Sequence, residues 1–286
     1  MGFLKPEAQA KPKLKAPPGA VDTHMHFYGP REKYPWAPTR VNDPPLAWVG
    51  DYKAMQKHIG IERTVIVQPS HYATDNRATM DAVGEMGGPE KARAIVVVNE
   101  KNTSREMAEL TRGGAVGIRF HMLPGGVLSW DTIAAMAPRV QEHGWHGQLQ
   151  FNGRELVERE AFIKALPGTL VFDHVARFMP PVGVDDPTFK VMCRFLESGR
   201  CWMKCSAPYE SSRTGAPRYE DTSILAREFI KRFPERMMWA SNWPHPGRDN
   251  PPPGDADMLD LLLDWAPDDK TRRMMLVDNP VKLYGF

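Results

Sequence analysis

Short apolar runs alternate with longer amphipathic segments along most of the chain. The runs are rich in β-branched residues, which is typical of parallel strands that are buried on both faces. From this pattern we predict eight strands, at residues 21–26, 64–67, 94–98, 116–121, 147–151, 170–174, 202–205 and 237–240.

The segments between the runs carry apolar residues every three or four positions, which is the spacing of an amphipathic helix. The third of these segments has a plausible N-cap residue in Ser104. The predicted helices cover residues 46–59, 75–86, 104–110, 130–142, 155–166, 187–196, 224–233, 257–265 and 269–276.

Eight strand–helix units predict an α/β fold, a (β/α)8 TIM barrel. A doubly wound open sheet is the alternative, but that fold normally places a Gly-rich phosphate-binding turn after its first strand. His24 and His26 stand at that position instead. We therefore expect a single TIM-barrel catalytic domain over residues 19–286, preceded by a flexible leader at residues 1–18.

Composition narrows the possible partners. The chain has 286 residues and a net charge of +2, without a basic run interleaved with aromatic residues, so no nucleic-acid partner is expected. No apolar run is long enough to cross a bilayer, so no membrane association is expected either. Cys193, Cys201 and Cys205 show no repeated spacing, which favours a reducing, cytoplasmic location over a disulfide framework or zinc ribbon. The pattern leaves the oligomeric state open.

Polar side chains gather where the predicted strands end. His24 and His26 are two residues apart in a strand and share a face, as a pair of metal ligands or of hydrogen-bond donors would. Six of the nine histidines lie at or just beyond strand ends, which is where a TIM barrel carries its chemistry. The other candidates at these ends are Ser70, His71, Arg119, His121, Gln150, His174, Lys204, Ser206, Asn242 and His245.

Three arginines lie where they can reach the same end of a barrel. Arg119 ends the fourth strand, Arg177 follows the sixth, and Arg213 lies in the loop after the seventh. Guanidinium groups bind carboxylates with two parallel hydrogen bonds, so a small substrate with one or more carboxylates is a hypothesis. The alternative is that each arginine pairs with a nearby acid such as Asp173 or Glu210.

Together these strand-end motifs resemble the amidohydrolase superfamily, in particular its lactone-processing branch. The resemblance covers the chain from about Gly19 to its last residue. It rests on the segments 19–26, 70–76, 117–120, 172–174, 242–246 and 278–280, which match in order. Members that isomerise sugar-diacid lactones resemble the chain further at 123–126, 150–151, 209–213 and Asn242.

One departure from the superfamily pattern bears on the chemistry that the resemblance implies. The eighth strand of these enzymes commonly ends in an aspartate, which binds a metal or acts as the general base for water. Asn242 stands at that position, and a carboxamide neither accepts a proton near neutral pH nor ligates a divalent cation well. Arg119 and His121 occupy the fourth strand where a modified lysine would complete a metal site. We therefore predict no cofactor, with zinc as the disfavoured alternative.

The resemblance implies an enzyme that acts on a small carboxylated lactone, most plausibly by isomerisation through intramolecular acyl migration. Hydrolysis of such a lactone and a non-catalytic binding protein are the alternatives. Asn242 would hold the ring oxygen or the attacking hydroxyl, and His174 or His121 would shuttle the proton of that hydroxyl. The oxyanion would be stabilised by His24, His26 and His174. The predicted substrate-binding residues are Ser70, His71, Arg119, Gln150, Arg177, Tyr209, Arg213 and His245.

Overall fold

Eight parallel strands pair in sequence order around a barrel. The structure is a computed structural model that describes residues 3–247 and 253–286. The strands are β1 Val21–Met25, β2 Arg63–Val67, β3 Ala92–Val96, β4 Ala115–His121, β5 His146–Gln150, β6 Leu170–Phe172, β7 Cys201–Cys205 and β8 Met237–Trp239. The predicted TIM barrel is confirmed, with every predicted strand present to within a few residues.

The barrel closes between β8 and β1, where the two strand ends exchange hydrogen bonds. Thr23 Oγ1 donates to the Trp239 carbonyl at 2.7 Å. The Asn242 amide donates to the His24 carbonyl at 2.8 Å, and the His26 amide donates to the Trp243 carbonyl at 2.8 Å. These bonds bring the ends of β1 and β8 together, so His24, His26 and Asn242 face one region.

Helices cover the outside of the barrel. Their bounds are α1 Val49–Ile59, α2 Arg77–Glu85, α3 Ser104–Arg112, α4 Trp130–Glu142, α5 Leu156–Ala165, α6 Pro187–Glu197, α7 Glu220–Arg232, α8 Asp255–Asp260, α9 Leu262–Trp265, α10 Asp269–Arg273 and α11 Asn279–Tyr284. The helix predicted at 257–265 is thus two short helices. A π-helical turn, Met274–Asp278, joins the last two helices.

The N-cap of α3 is Thr103 and not the predicted Ser104. The Thr103 side chain accepts a hydrogen bond from the Glu106 amide at 3.2 Å, and Glu106 Oε2 accepts one from the Thr103 amide at 2.7 Å. This reciprocal pair is a capping box. Thr103 is the N-cap because a capping box needs a glutamate or glutamine three residues after the N-cap, and Glu106 stands at that distance from Thr103.

The interior of the barrel is apolar at one end and polar at the other. Val21, Val65, Ile95 and Val171 belong to a cluster that also includes Tyr284 of α11, and all of them are almost completely buried. Above this cluster the inward-facing side chains become polar and still have almost no exposure. The polar end of the barrel therefore rests on a buried, apolar base.

Residues 3–18, expected to form a flexible leader, pack against the helix that follows β8. The amides of Lys13 and Leu14 donate to the Asp260 carboxylate at 3.0 and 2.8 Å. The Gln9 side chain donates to Asp255 Oδ2 at 3.2 Å. Sequence periodicity does not reveal these contacts, because they join carboxylates of α8 to backbone and side-chain groups far away in the chain. Among the described residues, no helix has the length and apolarity needed to cross a membrane.

Candidate active site

A cavity of about 330 Å³ opens at the carboxyl ends of the strands. Most of the side chains singled out from the sequence lie in its wall. These are His26, Ser70, His71, Arg119, His121, Gln150, His174, Arg177 and Asn242. Tyr28, Asn42 and Glu210 line the same cavity and were not among the predicted site residues. The strand-end pattern therefore indicated most of the polar side chains of the cavity wall, but it missed Tyr28, Asn42 and Glu210.

His24 lies one layer below the cavity and is fully buried. Its Nδ1 is 3.2 Å from Asp173 Oδ1, and its Nε2 is 3.2 Å from Nε2 of His26. The Nδ1 of His26 lies 2.8 Å from the Val67 carbonyl, which can only accept a hydrogen bond. His26 therefore carries its proton on Nδ1, and its Nε2 presents a lone pair.

The histidines around the cavity are held in the neutral form. Burial, together with the positive charge of Arg119, lowers the pKa of His24, His26 and His174 well below the ordinary value. Burial and Arg119 lower the pKa of His121 to about 3 and that of His71 to about 4. At neutral pH each of these imidazoles therefore has one N–H donor and one acceptor nitrogen and carries no charge.

The positive charge of the cavity comes from two arginines. Arg119 is buried and donates to the Gln68 carbonyl at 2.9 Å and to Gln150 Oε1 at 2.6 Å. Its Nε is buried and has no hydrogen-bond partner among the described residues. Arg177 places its Nε 3.8 Å from Glu210 Oε2. An anionic ligand in the cavity would therefore meet guanidinium N–H groups that still have capacity to donate.

A left-handed turn after β6 places two of these residues in the cavity. His174, Val175, Ala176 and Arg177 have φ values of 53°, 53°, 54° and 48°. Each costs about 1–2 kcal/mol relative to a right-handed conformation, so the surrounding structure has to impose the turn. The Arg177 amide donates to the His174 carbonyl at 2.8 Å, which closes the turn and brings both side chains to the same cavity.

Asn242 presents an unpaired acceptor to the cavity. Its Nδ2 donates to the Tyr209 hydroxyl at 2.9 Å. Its Oδ1 is buried and has no partner among the described residues, although the side chain lines the cavity. With φ at 61°, the residue sits in the left-handed region, which asparagine tolerates better than most residues.

Tyr209 and His245 were predicted to bind substrate, but they lie behind Asn242. The Tyr209 hydroxyl is 2.8 Å from His245 Nδ1, and His245 Nε2 is 3.0 Å from Asp255 Oδ1. Both ring nitrogens of His245 are therefore engaged by protein groups. The strand-end rule identified the right region, but it could not separate residues that face the ligand from residues that support them.

Arg213 was also predicted to bind substrate, and the structure places it outside the cavity. Its side chain is exposed, and its amide donates to Asp221 Oδ2 at 2.7 Å. Asp221 also accepts hydrogen bonds from the hydroxyls of Ser212 and Thr214. Asp221 thus holds the loop together, and Arg213 is not among the residues that line the cavity.

A polar network beneath His24 was not assigned a role from the sequence. Lys204 Nζ donates to Gln148 Oε1 at 2.6 Å and lies 3.7 Å from Asp173 Oδ1. Gln148 Nε2 donates to Asp173 Oδ2 at 3.0 Å. Burial lowers the pKa of Lys204 to about 8. The alternation of side chains along β7 could have indicated this position. Lys204 is two residues from Trp202, which faces the barrel interior, so both side chains lie on the same face of the strand.

His24, Asp173 and His174 are buried and have one ligand atom each within 4.8 Å of one another. All three are residue types that bind zinc. If Nδ1 of His24 donates to Asp173, then its Nε2 lone pair faces the lone pair of His26 at 3.2 Å. A cation bound by the Nε2 atoms of His24 and His26 would relieve that repulsion, and His26 would then be a further ligand beside the three. The donor set therefore fits a divalent metal, and the expected absence of a cofactor stays a prediction.

Comparison with known proteins defines the class. A family model described as amidohydrolase matches residues 21–286. The chain therefore belongs to the amidohydrolase family. A crystal structure of an apo protein from Agrobacterium tumefaciens shares its fold with a TM-score of 0.91 at 33% identity, covering 97% of this chain and 98% of that chain.

Two curated relatives are similar over almost the whole chain. The chain is 35% identical over 285 residues to 2-pyrone-4,6-dicarboxylate hydrolase of Comamonas testosteroni, covering 96% of this chain and 93% of the relative. It is 35% identical over 277 residues to D-galactarolactone isomerase of Agrobacterium fabrum, again covering 96% and 93%. One relative is a hydrolase and the other an isomerase, so similarity alone does not choose between these reactions.

Proposed function

We propose that the protein is an enzyme that isomerises a small carboxylated lactone by intramolecular acyl migration. The observation that carries the proposal is Asn242, whose Oδ1 is buried in the cavity wall and has no hydrogen-bond partner within residues 3–247 and 253–286. A carboxamide can hold a hydroxyl group but cannot take its proton near neutral pH. Such a group suits a reaction in which the substrate's own hydroxyl attacks, since proximity makes that attack efficient without an activated water.

The charge and size of the cavity support a small anionic substrate. A volume of about 330 Å³ suits a single ring with its substituents. Arg119 is buried at the base of the cavity and Arg177 lies in its wall, so a carboxylate between them would gain charge-assisted hydrogen bonds. The names of the two curated relatives, an isomerase of a lactone and a hydrolase of a dicarboxylate, agree with this substrate class.

The reaction follows from these groups. The substrate hydroxyl, held by Asn242 Oδ1, attacks the lactone carbonyl, so a new carbon–oxygen bond forms and the ring carbon–oxygen bond breaks. The proton of the hydroxyl passes to the departing ring oxygen, and no water is consumed. We assign that transfer to His26, because its ring lines the cavity and its Nε2, which lies 3.2 Å from His24 Nε2, carries a lone pair. The sequence suggested that His26 donates a hydrogen bond to the oxyanion. Its only N–H proton is on Nδ1 and faces the Val67 carbonyl, so it cannot do so.

His174 is the better donor for the developing oxyanion. Its Nδ1 lies 2.8 Å from the Ser206 hydroxyl, which can donate to it and leave the proton on Nε2. A substrate carboxylate near Arg119 would also neutralise one of the charges that lower the pKa of His26 and His174. Substrate binding would thereby make both imidazoles better proton carriers.

Hydrolysis is the second candidate, and the relative that hydrolyses 2-pyrone-4,6-dicarboxylate favours it. In that reaction water would replace the substrate hydroxyl, and a histidine would have to act as its base. Binding without turnover is the third candidate.

Proton NMR of candidate sugar-diacid lactones with the enzyme separates these reactions. We expect a shifted ring without free acid. Stoichiometric acid release would instead establish hydrolysis, and binding without turnover across the panel would contradict an enzyme.

We also propose that the reaction needs no metal. The donor types suit a divalent metal, but the neighbouring positive charges oppose one, since Lys204 Nζ lies 3.7 Å from Asp173 Oδ1. Burial, and then the charges of Lys204 and Arg119, also lower the pKa of His24. A metal on His24, Asp173 and His174 would supply Lewis-acid polarisation of a carbonyl. Metal analysis of enzyme prepared without chelators is expected to give far less than one equivalent. One equivalent of zinc or manganese, with activity lost on its removal, would overturn this proposal.

A further inference from the structure

We propose that Asp255, through His245 and Tyr209, is a positioning residue that holds Asn242 with its carbonyl oxygen toward the cavity. The four residues form one hydrogen-bonded series, here called the relay. The inference deepens the proposed function, since it concerns how the proposed contact between Asn242 and a substrate hydroxyl is set up.

The direction of each hydrogen bond in the relay follows from the carboxylate. An ionised carboxylate only accepts, so His245 must donate from Nε2 to Asp255 Oδ1 across 3.0 Å. A neutral imidazole then has a lone pair on Nδ1. The Tyr209 hydroxyl, 2.8 Å away, donates to that lone pair.

Tyr209 in turn determines the orientation of Asn242. With its proton directed to His245, the hydroxyl oxygen accepts from Asn242 Nδ2 at 2.9 Å. The other end of the amide, Oδ1, is therefore the atom that remains for the cavity. A reversed relay would present Nδ2 instead, and this NH2 group could not accept a hydrogen bond from an attacking hydroxyl.

The N-terminal segment holds Asp255 in place. Gln9 Oε1 accepts from the Asp255 amide at 2.7 Å, which leaves Gln9 Nε2 to donate to Asp255 Oδ2 at 3.2 Å. Asp255 is 1% exposed and His245 is 2% exposed, so water does not compete with these contacts. One oxygen of the carboxylate is thus committed to Gln9 and the other to His245.

The substitution Asp255→Asn tests the direction of the relay. Gln9 Nε2 favours the carbonyl oxygen of the new asparagine, so the asparagine NH2 group would face His245. His245 would then carry its proton on Nδ1 and donate to Tyr209, and Asn242 would turn over. We expect nitrogen-15 NMR of histidine-labelled protein to show the Nε2–H tautomer for His245 in the wild type and the Nδ1–H tautomer in Asp255→Asn.

Asp260→Asn is the matched control, because Asp260 lies in the same helix and binds the same N-terminal segment without contacting the relay. We expect it to leave the tautomer of His245 and the activity unchanged. Tyr209→Phe is the second variant. It removes the hydroxyl that orients Asn242, so activity should fall while the tautomer stays as in the wild type.

A double-mutant cycle distinguishes positioning from a purely structural effect. We expect Asp255→Asn to lower kcat about tenfold or more in the wild-type background. In the Asn242→Asp background we expect a loss of at most about twofold, because the carboxylate introduced at position 242 has two equivalent oxygens and needs no orientation. Equal losses in both backgrounds, or an unchanged tautomer in Asp255→Asn, would overturn the relay. The tautomer is measured without substrate, so this readout stands even if no lactone is turned over and the proposed function fails.

Discussion

At the scale of single residues, the decisive position is the end of β8. An aspartate there would be a base, whereas Asn242 offers one acceptor and one donor in fixed places. The sequence identified this position from the identity of one side chain. It could not show that Oδ1 faces the cavity, since that orientation comes from residues that contact Asn242 only after folding.

Asn242→Asp tests the role of the amide. The new carboxylate can accept a proton from water, so we expect hydrolysis to rise relative to isomerisation by about tenfold or more. The ratio of free acid to isomerised lactone, measured by NMR, checks this. The same ratio in the wild type and the variant would contradict the proposed role of Asn242.

His71 connects the cavity to stability as the pH changes. Its pKa falls from 6.5 unfolded to about 4 in the folded protein, mainly because it is buried. As the pH falls, His71 is protonated in the unfolded chain before it is protonated in the folded protein. The free energy of unfolding is therefore unaffected by His71 above pH 6.5 and decreases as the pH falls toward 4. His71→Gln can still donate to Asn42 Oδ1, which His71 Nε2 contacts at 2.7 Å, but it does not titrate.

We expect the free energy of unfolding of the wild type to fall between pH 6.5 and pH 4 by roughly 3 kcal/mol more than that of His71→Gln. Urea unfolding at several pH values measures this difference. Parallel pH profiles for the two proteins would show that His71 does not contribute.

At the scale of elements, most of the fold could be predicted, because each strand and helix carries its own periodic pattern. The differences occur where a backbone conformation depends on the surrounding structure. Nothing in the run His174 to Arg177 indicates four left-handed residues, since it contains no glycine or asparagine. Tertiary packing imposes that turn, and it is the turn that brings Arg177 to the cavity.

The N-terminus of α3 allows the local prediction to be tested. Thr103→Ala removes the side chain that accepts from the Glu106 amide, and we expect a loss of about 1 kcal/mol in the free energy of unfolding. Ser104→Ala is the matched control and should change the stability by less than about 0.5 kcal/mol. Chemical denaturation of both variants checks the expectation. A larger loss of unfolding free energy from Ser104→Ala than from Thr103→Ala would show that Ser104 is the N-cap.

At the scale of the whole molecule, the predicted strand ends converged on one cavity because parallel strands in a closed barrel all end at one face. That rule places His26, Arg119 and Asn242 together without any knowledge of their contacts. It says nothing of loop direction, which is why it could not show that Arg213 lies outside the cavity wall. Nor does it show that Lys204 belongs to a buried polar layer with Gln148, a residue that the rule did not single out.

The contact between Gln9 and Asp255 joins positions 246 residues apart in the chain. During synthesis, Gln9 leaves the ribosome long before its partner exists. The segment around it can dock only when β8 has closed the barrel and α8 has formed. If the relay orients Asn242, that orientation is completed only after Gln9 has docked on Asp255. The recovery of activity in a refolding experiment would then follow the docking of the N-terminal segment.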